Sequence, residues 1–186
     1  MSKKILAFGA SSSTTSINKK LASFAANQLD NATTTLLDLN DFEMPIYSID
    51  REKQNGIPQL AQNFKQHIKE ADGIIISFAE HNGAYTAAFK NIMDWVSRID
   101  KAVWDNKPML LLASSPGGRG GQRVLDIAVN SFPFMGARSI SSFALPSFFD
   151  NLSEDGIKDS ELSSAFEIQL HAFSKALKED LIVENS

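Results

Sequence analysis

The chain has 186 residues, 43% of them hydrophobic and 22% charged, an ordinary composition for a globular domain with one filled core. Its net charge of -4 lacks the basic excess typical of nucleic-acid binding and is too small to indicate a strongly acidic docking surface. Cysteine is absent, which excludes disulfides, thiol nucleophiles and thiolate metal sites. No apolar run approaches the roughly 20 residues of a membrane span. The first apolar run resembles a strand rather than a signal peptide, so we expect a cytoplasmic protein with no membrane partner.

Short apolar runs alternate with amphipathic segments along the chain. Strands are predicted at residues 5–8, 34–39, 74–78, 109–113 and 137–143. Helices are predicted after the N-cap Ser16, after Pro58, at about residues 85–99, around residues 124–132 and around residues 162–177. Residues 40–56, which hold Pro45, Tyr47 and several charges, are predicted to form a long loop.

This alternation predicts the fold class. Five strands that alternate with five helices indicate βαβ units, and so a parallel sheet covered on both faces. Right-handed crossovers then favour the flavodoxin-like three-layer sandwich, an α/β fold with a five-stranded parallel sheet in the order 2-1-3-4-5. We expect one domain that spans residues 1–186. Its topological switch point, where open α/β proteins bind ligands, lies between the first and third strands.

Polar turns follow the first, third and fourth predicted strands, and we expect them to line one crevice. The first turn, residues 9–16, is rich in hydroxyl groups and precedes a helix. Backbone N–H groups and hydroxyls at a helix N-terminus suit a terminal phosphate. The G-x-G-x-x-G spacing that a dinucleotide pyrophosphate requires is missing. The alternative is a solvated loop in which Ser16 only caps the helix.

The second and third turns suggest a flat ligand. Residues 79–85 read A-E-H-N-G-A-Y, and residues 114–121 carry four glycines around Arg119. Glycine allows close approach of a ligand and Arg119 supplies a cation, although a flexible loop with a surface arginine is the alternative. The residue types of Glu80 and His81 would suit either an acid/base pair or a fragment of a metal site. Without further His or Cys nearby we expect no metal.

The helix after the second turn carries two apolar stripes, whereas a helix on a sheet needs one. The first stripe consists of Phe89, Ile92, Met93 and Val96, and the second of Tyr85, Ala88, Ile92, Trp95 and Ile99. We expect a second subunit to cover the second stripe, and therefore a homodimer built largely on this helix. The alternative is a helix buried within its own chain.

The three turns together resemble those of the NADPH-dependent FMN reductases. Residues 79–83, with F-K-N at 89–91 and D-W at 94–95, resemble that family's P-E-Y-N-G … L-K-N-x-x-D-W block. Residues 11–18 resemble its G-S-x-R-x-x-S-x-N phosphate loop, and residues 115–121 resemble its S-P-G-G-x-G-G turn. The resemblance extends from the first strand to the fifth.

This resemblance implies a cofactor and a site. FMN would bind non-covalently, with NADPH or NADH as co-substrate, in a dimer or a tetramer. Ser11, Ser16 and Asn18 would hold the phosphate, residues 80–83 would line the isoalloxazine edge largely through backbone groups, and Ser115 and Gly118 would close the far side. The full set of expected cofactor-binding residues is Ser11, Ser13, Ser16, Ile17, Asn18, Ala79, Glu80, His81, Asn82, Gly83, Ser115, Pro116, Gly117, Gly118 and Arg119. Because the flavin carries the chemistry, no side chain is expected to act as nucleophile or base.

The implied activity is an NAD(P)H-dependent reduction of FMN followed by reduction of a quinone, an azo compound, a metal oxyanion or free flavin. A flavodoxin-like electron carrier and a flavin-free scaffold are the alternatives, although a carrier normally has a more acidic docking face. The sequence departs from the family pattern at three positions. Ser13 stands where the family has Arg, Ala79 where it has Pro, and His81 where it has Tyr. The first two departures keep the scaffold alternative open.

Overall fold

A parallel sheet forms the centre of the molecule in the computed structural model, which describes the backbone of residues 2–183 and the side chains as far as residue 179. Its strands are β1 (Lys3–Ala10), β2 (Ala32–Leu37), β3 (Gly73–Phe78), β4 (Pro108–Ser114) and β5 (Ser139–Leu145). They lie in the order β2-β1-β3-β4-β5, and all neighbours are parallel. The predicted fold class and strand order are confirmed.

Helices cover both faces of this sheet. They are α1 (Ile17–Asn27), α2 (Ile49–Asn55), α3 (Gln59–Glu70), α4 (Ala87–Ile99), α5 (Gln122–Ser131), α6 (Phe148–Asn151) and α7 (Ser160–Val183). Side chains of α1 and α7 pack with one face of the sheet, and those of α3, α4 and α5 pack with the other. A short antiparallel hairpin, β6 (Leu152–Ser153) and β7 (Gly156–Ile157), precedes α7. Two hydrophobic cores therefore lie on opposite sides of one sheet.

Two strands differ in position from their prediction. The second strand was expected at residues 34–39 but is Ala32–Leu37, because Asp38 caps a 3-10 helix at Leu39–Phe42 by accepting a hydrogen bond from the N–H of Asn40 at 2.9 Å. The fifth strand was expected at residues 137–143 but is Ser139–Leu145, because the chain is still turning at Gly136, where φ is +84°. Apolar content locates a strand but does not fix its ends.

The long loop predicted at residues 40–56 was wrong in part. It contains the end of the 3-10 helix and the whole of α2, which Ser48 caps by accepting a hydrogen bond from the N–H of Arg51 at 3.2 Å. Helix α2 buries none of its residues. It therefore has no apolar stripe from which a helix can be recognised in the sequence.

Part of the second apolar stripe of α4, at Trp95, is covered by the chain itself. Trp95 is buried, its indole N–H donates to the carbonyl of Pro45 at 2.8 Å, and the Tyr47 ring packs edge-on at 5.0 Å. Asn91 holds the same segment, accepting from the N–H of Tyr47 at 2.8 Å. The chain's own residues 45–47 therefore supply a partner for this part of the stripe, and the second subunit and the homodimer stay predictions.

Candidate functional site

The three polar turns meet at the carboxyl edge of the sheet. The first follows β1, the second follows β3 and the third follows β4, and these three strands are neighbours. Because parallel strands end at a common edge, the turns lie side by side and span the switch point between β1 and β3. The structure thus brings together the three groups of residues that the sequence singled out.

The upper part of the first turn, residues 12–15, is exposed and rich in hydrogen-bond donors. Among the described residues, the N–H groups of Ser12, Thr14 and Thr15 make no hydrogen bond to the protein. Below them Ser11 is buried, and its hydroxyl accepts from the N–H of Ser13 at 3.1 Å. Ser16 accepts from the N–H of Lys19 at 3.1 Å, which confirms the predicted N-cap of α1. The turn presents unused donors at the positive end of a helix, where an anion is stabilised.

The base of this turn is packed against α1. A Cβ on Gly9 would lie 2.4 Å from the backbone nitrogen of Lys19, so glycine is required where β1 passes under α1. The Lys19 ammonium pairs with the Asp38 carboxylate at the end of β2. That hydrogen bond lowers the pKa of Asp38. The cation in the first turn of α1 therefore faces a carboxylate of the protein.

Asn18 was expected to hold a phosphate, but its side chain points into the protein. It is 2% exposed, and its Oδ1 accepts from the Ser77 hydroxyl at 2.7 Å and from the N–H of Ser114 at 3.0 Å. Its amide nitrogen donates to the carbonyl of Ser114 at 3.1 Å. The Ile17 side chain likewise packs with the core below α1. At both positions the backbone N–H is the group left for a ligand.

The second turn is a tight two-residue hairpin. His81 and Ala84 exchange backbone hydrogen bonds of 3.0 and 3.1 Å. Between them Asn82 and Gly83 have φ of +54° and +78°, the type I′ geometry that Asn-Gly favours. His81 and Asn82 are exposed, whereas Ala79 and Glu80 are half-buried. The tip of the hairpin is therefore exposed at the edge of the crevice, while the residues that lead into it are partly buried.

Two side chains fasten the second turn to its neighbours. On one side, the Thr86 hydroxyl donates to the carbonyl of Ala10 at 3.0 Å, and it also caps α4 by accepting from the N–H of Phe89 at 3.2 Å. On the other side, Glu80 Oε2 accepts from the N–H of Val124, in the first turn of α5, at 3.2 Å. The second turn is thus tied to the end of β1 and to the helix that follows the third turn.

The third turn is docked on the residues that follow β5. A Cβ on Gly120, where φ is +58°, would lie 2.9 Å from the Leu145 carbonyl. The N–H of Ser147 donates to the carbonyl of Gly117, and that of Phe148 donates to the carbonyl of Ser115, both at 3.1 Å. These contacts favour a fixed turn over the flexible loop that was the alternative.

The outer side of the same turn is open. Gly118 has no heavy atom within 4 Å of the position a Cβ would take, and the nearest atom to that position on Gly117 is Ser115 Oγ at 3.9 Å. Pro116 and Arg119 are exposed beside them. Backbone is therefore accessible here without side chains above it.

A second cation, Arg123 in the first turn of α5, was missed in the sequence analysis. A Cβ on Gly83 would lie 3.7 Å from its Cδ and from one guanidinium nitrogen, so the side chain lies across the second turn. Neither Arg119 nor Arg123 forms an ion pair with any residue that the structure describes. The one feature of the sequence that could have indicated Arg123 is its position, two residues after the glycine-rich turn.

A cavity of about 360 Å³ opens beside the first turn. Ser12 lines it from the turn, Phe42 and Met44 from the segment after β2, and Ala88 and Ile92 from α4. No sequence pattern predicted this cavity, because residues 40–56 were expected to form a long loop.

Residues 2–179, whose side chains the structure describes, contain no cluster of three or more His, Asp or Glu side chains suited to a metal ion. None of the helices described in residues 2–183 is long and apolar enough to cross a membrane.

Comparison with known proteins decides the family. The sequence profile of the NADPH-dependent FMN reductases matches residues 3–150, a stretch that includes all three turns. The chain belongs to this family. The predicted resemblance is confirmed, and with it FMN as the cofactor of the family.

Individual relatives of the chain have names that fit this family. A quinone reductase of Escherichia coli is 33% identical over 81 residues, which is 44% of this chain and 43% of that protein. The chain therefore matches less than half the length of that relative. An NADPH azoreductase of a Bacillus species is 28% identical over 158 residues, 85% of this chain and 81% of the other.

Solved structures agree on the fold. FerB, a flavoenzyme NAD(P)H:(acceptor) oxidoreductase from Paracoccus denitrificans, has a TM-score of 0.74 at 20% identity, covering 95% of this chain and 98% of its own. The likeness shows that this chain shares the fold of FerB, which is the flavodoxin-like fold with its strands in the order β2-β1-β3-β4-β5.

Proposed function

We propose that this protein is an FMN-dependent NAD(P)H oxidoreductase that reduces small flat acceptors, quinones first among them. The observation that carries the proposal is the crevice at the switch point, with free donors at its first turn and open glycine backbone at its third. Membership of the FMN reductase family supports the same assignment.

The first turn fits a terminal phosphate. The free N–H groups and exposed hydroxyls of residues 12–15 supply neutral donors, and the N-terminus of α1 supplies a positive potential. Ser11 and Ser16 shape the turn through their own hydrogen bonds to Ser13 and Lys19. In this proposal the phosphate is held without an arginine, since Ser13 takes that place.

The second and third turns fit a planar ring. Backbone groups of residues 80–83 lie on one side, and the open positions at Gly117 and Gly118 let a ring approach the main chain on the other. Ala79, Ser115 and Pro116 complete these walls. When bound, FMN supplies the redox chemistry, accepting a hydride from reduced nicotinamide and passing electrons to the acceptor.

The protein's own part in this reaction is binding and charge. Arg119 and Arg123, at the positive end of α5, are placed to attract the phosphates of the nicotinamide nucleotide. The glycine backbone leaves room for a second flat molecule to approach. In this proposal, specificity depends on shape and charge rather than on a nucleophile or base.

Two observations favour aromatic acceptors. The relatives include proteins named quinone reductase and NADPH azoreductase. Phe149, which is 65% exposed, follows Phe148, whose N–H is bonded to the third turn, and so adds an aromatic ring near that turn. A cytoplasmic location and a homodimer are also part of the proposal, and the family resemblance, which implies a dimer or a tetramer, supports the second.

The test is spectroscopic. The purified protein is mixed with FMN, freed of unbound flavin, and its visible spectrum is recorded before and after anaerobic NADPH and then after a naphthoquinone. We expect bound flavin absorption that bleaches with NADPH and returns with the quinone. Gly118→Leu, which fills the open space at the third turn, should weaken flavin binding about tenfold without changing stability.

Other outcomes are equally decisive. Flavin that is retained but stays oxidised with both NADPH and NADH would indicate an electron carrier. Failure to retain flavin would indicate a scaffold and overturn the proposal.

A further inference from the structure

Helix α5 begins without a cap of its own. Its N-cap residue is Gly121, no N-cap side chain accepts a hydrogen bond, and its first turn contains no acidic residue. The first turn holds Gln122 and the cationic Arg123 instead, although a helix N-terminus favours negative charge.

The packing at Gly121 explains the missing cap. Its φ is +77°, and a Cβ there would lie 3.1 Å from the Cβ of Ala113 in β4. The Ser, Thr, Asp or Asn that normally caps a helix would be strained and crowded at this position. An acceptor for the N–H groups of the first turn has to come from another part of the chain.

Glu80 supplies that acceptor. Its Oε2 lies 3.2 Å from the nitrogen of Val124, the third residue of α5, although the two residues are 44 positions apart. This is the N–H that an N-cap side chain commonly binds, and the carboxylate also places negative charge at the positive end of the helix.

We propose that Glu80 is a positioning residue whose carboxylate fastens the second turn to α5 and so sets the spacing between the two walls of the ring site. Arg123, which precedes Val124, is held across Gly83 by the same arrangement. The hydrogen bond is a property of the protein alone, whereas its effect on flavin rests on the proposed function.

The experiment compares Glu80→Ala with Glu80→Gln, because the glutamine side-chain oxygen still accepts a hydrogen bond and the alanine does not. Glu154→Ala, an exposed glutamate in the β6–β7 turn, is the control for the lost charge. Two quantities are measured: amide hydrogen exchange at the start of α5 in flavin-free protein, and the Kd for FMN from quenching of flavin fluorescence.

We expect Glu80→Ala to speed exchange at the start of α5 and to raise the Kd for FMN, each about tenfold, as loss of a hydrogen bond to a charged group predicts. Glu80→Gln should stay within about threefold of wild type in both quantities, because a neutral acceptor restores most of the hydrogen bond. Glu154→Ala should match wild type in both.

Three results would overturn the proposal. Glu80→Ala with unchanged exchange would show that the carboxylate does not hold α5. Weakened FMN binding in Glu80→Gln with exchange like wild type would place the carboxylate on the ligand. Equal loss in Glu80→Ala and Glu154→Ala would assign the effect to net charge. If wild-type protein binds no FMN, the proposed function fails, and the exchange data alone decide the role of Glu80.

Discussion

Residues 12–15 of the first turn and residues 117–121 of the third turn both follow buried strands, yet they are held in different ways. The first group is exposed, and several of its N–H groups have no partner among the described residues. The second group is bonded to the residues after β5 and includes a glycine, Gly120, with no room for a side chain.

Because of this difference, ligand affinity and the stability of the fold should depend on different residues of the crevice. A turn whose donors are unused in the free protein can change its ligand affinity without cost to the fold. A position that is part of the packing, such as Gly120 in the third turn, cannot change without loss of stability. Substitutions at residues 12–15 should therefore change ligand affinity, whereas substitutions at packed positions such as Gly120 should change the free energy of unfolding.

The largest effect is expected at Gly120. Gly120→Ala places a methyl group 2.9 Å from the Leu145 carbonyl at a φ of +58°, so we expect a loss of about 3 kcal/mol in the free energy of unfolding. The measurement is denaturant unfolding of flavin-free protein. Gly118→Ala is the matched control, because nothing lies within 4 Å of its Cβ position, and it should stay within about 0.5 kcal/mol of wild type. Equal losses at the two glycines would remove the distinction between the inner and outer sides of the turn.

The next effect is expected at Asn18. Asn18→Ala leaves the buried Ser77 hydroxyl and the Ser114 N–H without their acceptor, so we expect a loss of about 2 to 3 kcal/mol in the free energy of unfolding. Asn63→Ala, which removes an exposed bond to Gln59, is the control and should change little. If Asn18→Ala instead weakens FMN binding at unchanged stability, the side chain contacts the phosphate, as the family resemblance implies.

At the exposed turn the expected change is in affinity. Ser13→Arg restores the cation of the family pattern, and a charge-assisted hydrogen bond contributes about 1.5 to 3 kcal/mol, so the Kd for FMN should fall tenfold or more. The free energy of unfolding should stay within about 0.5 kcal/mol of wild type, because Ser13 is exposed. Ser13→Gln, long but neutral, controls for side-chain length. A Kd that does not respond to the charge would mean that phosphate does not bind at this turn.

The smallest effect is expected at the Lys19–Asp38 pair. Asp38→Asn should cost about 0.5 kcal/mol at neutral pH, the usual worth of an ion pair open to solvent. The fold lowers the pKa of Asp38 below its ordinary 3.8, so this stabilisation is present above that value and is lost as the pH falls through the folded pKa. Unfolding free energies of wild type and Asp38→Asn should differ at pH 7 and converge in strong acid. A difference that is constant with pH would assign the effect to something other than the ion pair.

What could be predicted from the sequence is local or topological. Continuous apolar runs located the five strands, and right-handed crossovers gave their order. Ser16 was recognisable as a cap because its partner, Lys19, lies three residues away. Each of these signals lies within one element or follows from the alternation of elements.

What could not be predicted depends on distant partners. Glu80 bonds to a backbone N–H 44 residues away, and Asn18 bonds to Ser114 at a separation of 96 residues. The identity of a polar residue does not show which distant backbone group it will bond to in the folded protein. In the same way, the sequence of the apolar stripe on α4 does not show whether residues 44–47 or another subunit covers it.

The separation between Asn18 and Ser114 also has a consequence for how the protein is made. During synthesis the Asn18 side chain cannot complete the hydrogen bonds described above until β3 has paired with β1 and β4 has paired with β3. Contacts between distant parts of a chain form late because the intervening loop must first be closed. The base of the crevice is therefore completed only after β4 has joined the sheet, and the rest of the third turn, as far as residue 121, must also be made before a nascent chain has its ligand site.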